Sequence, residues 1–282
     1  DEKFLATACA DGRVVVWDTQ HHSLAGATDG HMGYALNSVC FVYDAKLAQL
    51  RLVTACDDRV AVVYDCTPKG HTFPYVPARF SVFYRETSTS PDSAAGLLTM
   101  IFEERMRLGD GNAKTSVGHQ NKVTSAAFST GDHGGCFIVT TSLDRRAILW
   151  NGRARVGQED DFCIGELTGH VEGITCAAIS PDAERIVTGS KDGVAIVWGR
   201  ARLEMLCKLS DHTSRLSSIA WKPDGTEIIT SSFDGTAKVW NMDAAGAPST
   251  LYTAIVTLRV SQSSFLFELS FFFFLLHLSP HP

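Results

Sequence analysis

The chain reads as an all-β repeat protein, on three observations. A pattern of Thr, three residues, Asp, five residues and an aromatic occurs five times, as Thr7–Asp11–Trp17, Thr54–Asp58–Tyr64, Thr140–Asp144–Trp150, Thr188–Asp192–Trp198 and Thr230–Asp234–Trp240. Each copy joins two short β-favouring runs through a small or charged pair at the Asp, as in IVTGSKDGVAIVWG, and such runs read as hairpins. A His stands upstream of four copies, in Gly30-His31, Gly118-His119, Gly169-His170 and Asp211-His212. Identical offsets repeated five times mark a recurring supersecondary unit.

Within a unit, the first strand lies between the His and the Thr: Ser38–Phe41, Thr124–Phe128, Thr175–Ile179 and Ser218–Trp221. Two of these runs lead into Pro-Asp turns, Ser180-Pro181-Asp182 and Lys222-Pro223-Asp224-Gly225. The Thr strand and the aromatic strand follow, with room for a fourth. His170 and His212 each precede their Thr by eighteen residues, while Tyr43–Arg51 and Gly131–Gly135 lengthen the hairpins of two earlier units. The first copy lacks both a His and an upstream strand, so either a fragment is being read or the missing strand comes from the C-terminal end. Tyr64 and Trp150 are about two periods apart. A worn-down unit is expected between them, with Arg79–Tyr84 as its first strand and Leu97–Phe102 as its second; Thr99 and Glu103 keep the offset, and Gly109 takes the Trp place. A long surface insertion is the alternative.

This set of Gly-His, Thr, Asp and Trp, at a period of about 40–45 residues, resembles the WD40-repeat β-propellers. The resemblance implies six recognisable blades, one degenerate and the first partial, in an incomplete or seven-bladed ring. It implies a propeller over residues 1–258 and an atypical apolar tail over 259–282. It also implies that indole, hydroxyl, imidazole and carboxylate form a hydrogen-bonded chain inside each blade. The full sets are His119–Thr140–Asp144–Trp150, His170–Thr188–Asp192–Trp198 and His212–Thr230–Asp234–Trp240; His31–Thr54–Asp58–Tyr64 substitutes a phenol. Four buried polar groups must satisfy one another, each bond contributing about 0.5–1.5 kcal/mol net.

A formal charge of −6 and a pI near 5.9 argue against bulk attraction to nucleic acid. The pairs Arg145-Arg146, Arg153/Arg155 and Arg200/Arg202 are expected to be solvated loops. Eight Cys show no CxxC and no metal spacing, and Cys9 and Cys56 occupy the column held elsewhere by Ser142, Ser190 and Ser232. A reducing compartment, cytoplasmic or nuclear, is the expectation. The apolar run Phe265–Leu278 contains Glu268 and falls short of a bilayer span, so a membrane anchor is not expected.

A Thr–His–Asp triad is the most tempting catalytic reading. Nucleophilic catalysis needs one such group beside an exposed pocket and an oxyanion site. A set replicated in every full repeat, always with a Trp, reads instead as structure. His21-His22, His71, His133, the pair His277 and His281, and Gly109–Asn112 lack the neighbours that a metal site requires. No cofactor, metal or catalytic residue is expected.

In the family resembled here, partners commonly dock on the face carrying the residue before each turn Asp and the start of each first strand. Carried over, that face holds Lys122, Leu143, Lys191, Arg215 and Phe233, a mixed apolar and basic patch suited to a peptide with acidic and apolar residues. The expectation is a non-catalytic scaffold binding protein or peptide partners. The alternative is a substrate receptor of a cullin-type ubiquitin ligase, because Trp150-Asn151-Gly152-Arg153 resembles the box such receptors use.

Overall fold

A computed structural model describes residues 4–31, 33–44, 49–68, 100–108, 118–129, 136–153, 162–242 and 256–259. Among them every regular element is a strand, and the strands form five antiparallel sheets. The first sheet has three, β1 (Phe4–Ala8), β2 (Val14–Asp18) and β3 (Ser23–Thr28). The second is β4 (Leu36–Asp44), β5 (Gln49–Cys56), β6 (Ala61–Pro68) and β7 (Met100–Leu108). The third is β8 (Val123–Phe128), β9 (Phe137–Ser142), β10 (Arg146–Asn151) and β11 (Cys163–Thr168). The fourth comprises β12 (Ile174–Ile179), β13 (Arg185–Ser190), β14 (Ala195–Gly199) and β15 (Glu204–Leu209). The fifth comprises β16 (Leu216–Trp221), β17 (Glu227–Ser232), β18 (Thr236–Asn241) and β19 (Val256–Arg259).

Each sheet is a blade meandering in chain order, with the Thr on the second strand and the aromatic on the third in the four-stranded blades, and on β1 and β2 in the first. The first strands β4, β8, β12 and β16 pack in succession against one another, and β1 packs against β4. The apolar core lies between blades. Ala6 and Val16 cluster with Val39 and Leu52, Val53 and Val63 with Val123 and Ile148, Leu149 with Ile174 and Ile196, and Val197 with Leu216 and Ile228. Both faces of a central sheet are therefore covered, which is why runs such as Ala-Ile-Val-Trp are apolar without alternation.

Two irregularities recur. The aromatic strand slips register against the strand that follows it just before the aromatic, at Val16/Trp17, Val63/Tyr64, Leu149/Trp150 and Val197/Trp198. A bulge at the same place in the first four blades is a feature that aims a side chain. The residue after each turn Asp has positive φ, Gly12 (90°), Arg59 (73°), Arg145 (72°), Gly193 (83°) and Gly235 (81°). At Gly193 glycine is also required sterically: a methyl there would lie 2.7 Å from the His212 carbonyl oxygen and 2.8 Å from that of Ser214 in the next blade.

The expected sixth unit is corrected. Met100–Phe102 belongs to β7, which pairs with β6 from Ala61↔Leu108 to Pro68↔Met100, and so completes the second blade as its fourth strand. Glu103 lies within that strand, opposite Asp65. Arg79–Tyr84, Thr99 and Gly109 lie outside the described residues, as does the tail from Val260. The extra length between Tyr64 and Trp150 thus includes a long connection, residues 69–99, between two strands of one blade. The last described strand, β19, joins the fifth blade beside β18 rather than the three-stranded first blade.

Candidate functional site

The quartets come first, because they position the face above them. In the third blade the Trp150 indole N–H donates to Thr140 Oγ1 at 2.7 Å. His119 Nε2 lies 2.8 Å from the same oxygen, and Nδ1 lies 3.2 Å from Asp144 Oδ2. The fifth blade repeats this with Trp240, Thr230, His212 and Asp234 at 2.9, 2.8 and 2.8 Å. With neutral imidazole one proton order satisfies all four groups: indole N–H to hydroxyl, hydroxyl to Nε2, Nδ1–H to carboxylate. The threonines are fully buried, so their hydroxyls face no substrate.

The carboxylates answer to this environment. Burial raises the pKa of Asp234, but the Thr236 hydroxyl, His212 and the backbone N–H groups of Thr213 and Thr236 outweigh it and hold the group at about 2. Asp144 is likewise held far below the usual carboxylate range, against burial, by His119 and the N–H groups of Gln120 and Arg146.

The fourth blade differs. Trp198 donates to Thr188 Oγ1 at 2.8 Å and His170 Nε2 stands 2.7 Å from it, but His170 Nδ1 is buried with no hydrogen-bond partner. Asp192 keeps the bond that the other turn carboxylates also make, accepting from the N–H two residues on, here Val194 at 2.9 Å. Burial pushes the His170 pKa down to about 4, with the Asp192 charge only partly opposing it.

The second blade is a further variant. His31 bridges Thr54 and Asp58, at 2.7 Å on each nitrogen. The longer reach of the phenol puts the Tyr64 hydroxyl against Gly30, where a methyl group would lie 1.7 Å from it. Cys56 takes the Ser place, its thiol pushed up to about 12 chiefly by burial. The donor atoms of His31, Cys56 and Asp58 lie within 4.8 Å of one another, the one such group among the described residues. Both imidazole nitrogens there are already committed within the blade, so the set reads as a quartet rather than a metal site. In the first blade the Trp17 indole donates to Thr7 Oγ1 at 3.4 Å.

The loop face follows a rule of neighbours. The residue before the turn Asp of one blade meets the residue three after the His of the next. At the second-to-third step Lys122 pairs with Asp57 Oδ2 at 2.5 Å. At the third-to-fourth step Leu143 lies over Gly173, where a methyl would fall 3.0 Å from Leu143 Cδ2. The fourth-to-fifth step carries Lys191 and Arg215, both exposed. There the Arg215 guanidinium stacks 3.7 Å from the centre of the Phe233 ring, which is 44% exposed. The five expected residues therefore split: Lys122 is committed to an ion pair, Leu143 to packing, and Phe233, Arg215 and Lys191 remain presented.

The sequence reading missed Tyr34 and Val171, which are exposed on the same face at 55% and 69%. Tyr34 stands three residues after His31, the offset that selected Lys122 and Arg215. Also missed were the polar residues second in each first strand. Asn37, Thr124 and Thr175 each donate across a blade boundary, to the carbonyls of Val123, Ile174 and Leu216 at 2.7, 2.8 and 2.7 Å.

Two of the expected solvated arginines are corrected. Arg146 bonds Asp144, Glu166 and the Gly118 carbonyl, and Arg200 bonds the Ala183 carbonyl and lies 4.5 Å from the Phe137 ring centre. Arg145 and Arg202 are exposed as expected, and Arg155 lies outside the described residues. A fully buried cation, Arg51, donates across blades to the Gly152 carbonyl at 3.0 Å and pairs with Asp65 at 3.1 Å.

Bladed sheets, inter-blade cores and buried Trp–Thr–His–Asp chains define a propeller repeat protein. The profile of the WD domain, G-beta repeat, matches residues 1–18, 112–151, 161–199 and 203–241, and the chain belongs to the WD40-repeat family. It is 30% identical over 168 residues to Protein HIR1 of Mycosarcoma maydis, across 53% of this chain and 16% of that protein. It is 29% identical over 115 residues to the ribosome biogenesis protein WDR12 homolog of Drosophila persimilis, across 40% of this chain and 27% of the relative. The Drosophila virilis homolog is 27% identical over 105 residues, 36% and 25% respectively. The chain thus spans under a third of the length of these relatives. No helix among the described residues is long and apolar enough to cross a membrane.

Proposed function

We propose that the protein is a non-catalytic scaffold, a propeller subunit that holds protein or peptide partners on its loop face. The observation that carries this is the presented pair Arg215 and Phe233, flanked by Lys191, on a face that also exposes Tyr34 and Val171. Aromatic residues and Arg are among the types enriched in the cores of protein interfaces. The same framework ties up the hydroxyls and imidazoles that might otherwise react, which supports a role without turnover. The reading places the protein in the cytoplasm or nucleus. Ribosome biogenesis, in the names of some relatives, would be one setting for such a subunit.

The cullin-receptor alternative draws no support from the relatives. In the box behind it, the Gly152 carbonyl is taken by Arg51 and the Gly152 N–H by the Cys136 carbonyl at 2.8 Å, an inter-blade clamp. Affinity capture from the source cells tests the scaffold reading. The double variant Phe233→Ala, Arg215→Ala should lose partners that the parent protein retains while keeping its unfolding temperature. Recovery of the same partners in the same amounts would refute the assignment.

A further inference from the structure

Three of the steps between blades follow one construction and differ in charge. At the second-to-third step the paired positions hold Asp57 and Lys122, which neutralise each other. At the third-to-fourth they hold Leu143 and Gly173, which pack. At the fourth-to-fifth they hold two cations, Lys191 and Arg215. The blades meet closely there: the turn at Gly193 sits against the carbonyls of His212 and Ser214, and the Lys191 and Phe233 N–H groups donate to the carbonyls of Gly173 and Arg215, each just before the first strand of its own blade, at 2.9 and 3.0 Å. Among the described residues neither Lys191 nor Arg215 forms an ion pair. Of the turn carboxylates at this step, Asp192 accepts from the Val194 N–H, and Asp234 is held by His212, Thr213 and Thr236.

Two cations at equivalent positions of this step, where one earlier step pairs opposite charges and the next packs apolar groups, lack a counter-charge among the described residues. We propose that the step between the fourth and fifth blades is the seat for an acidic side chain of a protein partner, its carboxylate flanked by Lys191 and Arg215. The exposed face of Phe233 takes an apolar residue adjacent to that acid in the partner's chain. Arg215, laid on the Phe233 ring, is already ordered, so less side-chain freedom is lost when the carboxylate arrives. In a protein of net charge −6, a local basic notch also selects which segment of an acidic partner may approach.

This inference rests on the reading of the loop face as a partner-binding surface, and its test separates the two. Random dodecapeptides displayed on phage are panned against the whole chain, and the enriched peptides are measured by fluorescence anisotropy at low and high salt. Enrichment of Asp or Glu next to Leu, Ile or Phe is expected, with affinity falling as salt rises. The variant Lys191→Asp recreates the Asp57–Lys122 arrangement at this step, so it should fold normally and weaken those peptides about tenfold or more. Lys122→Ala should leave them unchanged. Peptides without acidic bias, or undiminished binding to Lys191→Asp, would overturn the acidic seat. If such peptides were still lost in the Phe233→Ala, Arg215→Ala variant, the face would stand as a binding surface and only the seat would fall.

Discussion

The fourth and fifth blades carry the same four residue types at the same spacings, yet only the fifth closes its chain. His212 reaches Asp234 at 2.8 Å, whereas His170 leaves Nδ1 buried and unbonded, although both carboxylates accept from the backbone N–H two residues on. The fifth blade has further help: the Thr213 N–H and the Thr236 hydroxyl both hold the Asp234 carboxylate, and Val194 stands where Thr236 does. Possessing the right residues is therefore not the same as completing the network. A closed chain keeps its acid ionised at low pH; an open one leaves an imidazole that resists protonation.

The largest effect should come from breaking the closed chain at its centre. Thr230→Val removes the oxygen serving both the Trp240 indole and His212, and should cost about 3 kcal/mol in urea unfolding. A loss below about 1 kcal/mol would mean that the quartet contributes little. Acid titration should then separate the two blades. His170 titrates near 6.5 unfolded and about 4 folded, so the unfolded chain binds more protons between those values. Stability present above pH 6.5 should fall by about 3 kcal/mol towards pH 4 and then level off for this group. His212, also lowered by burial, adds a contribution of the same sign. Asp234 behaves oppositely in origin: its contribution is complete above pH 3.8 and is lost towards about 2. Replacing His170 with Gln should flatten the slope between pH 6.5 and 4 and leave the lower leg intact; an unchanged slope would assign the sensitivity elsewhere.

The second blade offers a third version of the comparison. Gly30→Ala should destabilise by about 2 kcal/mol, through collision with the Tyr64 hydroxyl, and the added change Tyr64→Phe should recover most of that loss. No recovery would place the strain elsewhere. The smallest difference is the most pointed. Asp234→Asn should cost about 1–2 kcal/mol, and Asp192→Asn about 0.5 kcal/mol or less, because only the first carboxylate holds its histidine. Equal losses in thermal unfolding would erase the distinction between the blades.

Much of this architecture was written in short offsets. Thr, Asp and aromatic residues at fixed spacing locate the second and third strands, because the bulge before the aromatic and the positive-φ turn after the Asp admit few residue types. Fourth strands carry no such marker. They sit at the outer edge, so Leu97–Phe102 resembled a new second strand, whereas Met100–Phe102 belongs to the last strand of an old blade. Charge commitments were illegible for another reason. Lys122 meets Asp57 across sixty-five residues, and Arg51 meets Gly152 across one hundred and one, separations that local reading cannot bridge. Tyr34 was legible and was missed, since the rule that selected Arg215 also selects it. The break at His170 lay beyond any offset, because the fourth blade carries the same four residue types at the same spacings as the fifth.

The β6–β7 connection has a practical consequence. Its ends, Pro68 and Met100, face each other across two strands of one sheet, so whatever lies between them begins and finishes at nearly one point. Closing a longer excursion there would cost only about 0.6 kcal/mol per doubling of its length. An epitope or a fluorescent reporter spliced between Pro68 and Met100 would therefore leave and re-enter this blade at nearly one point.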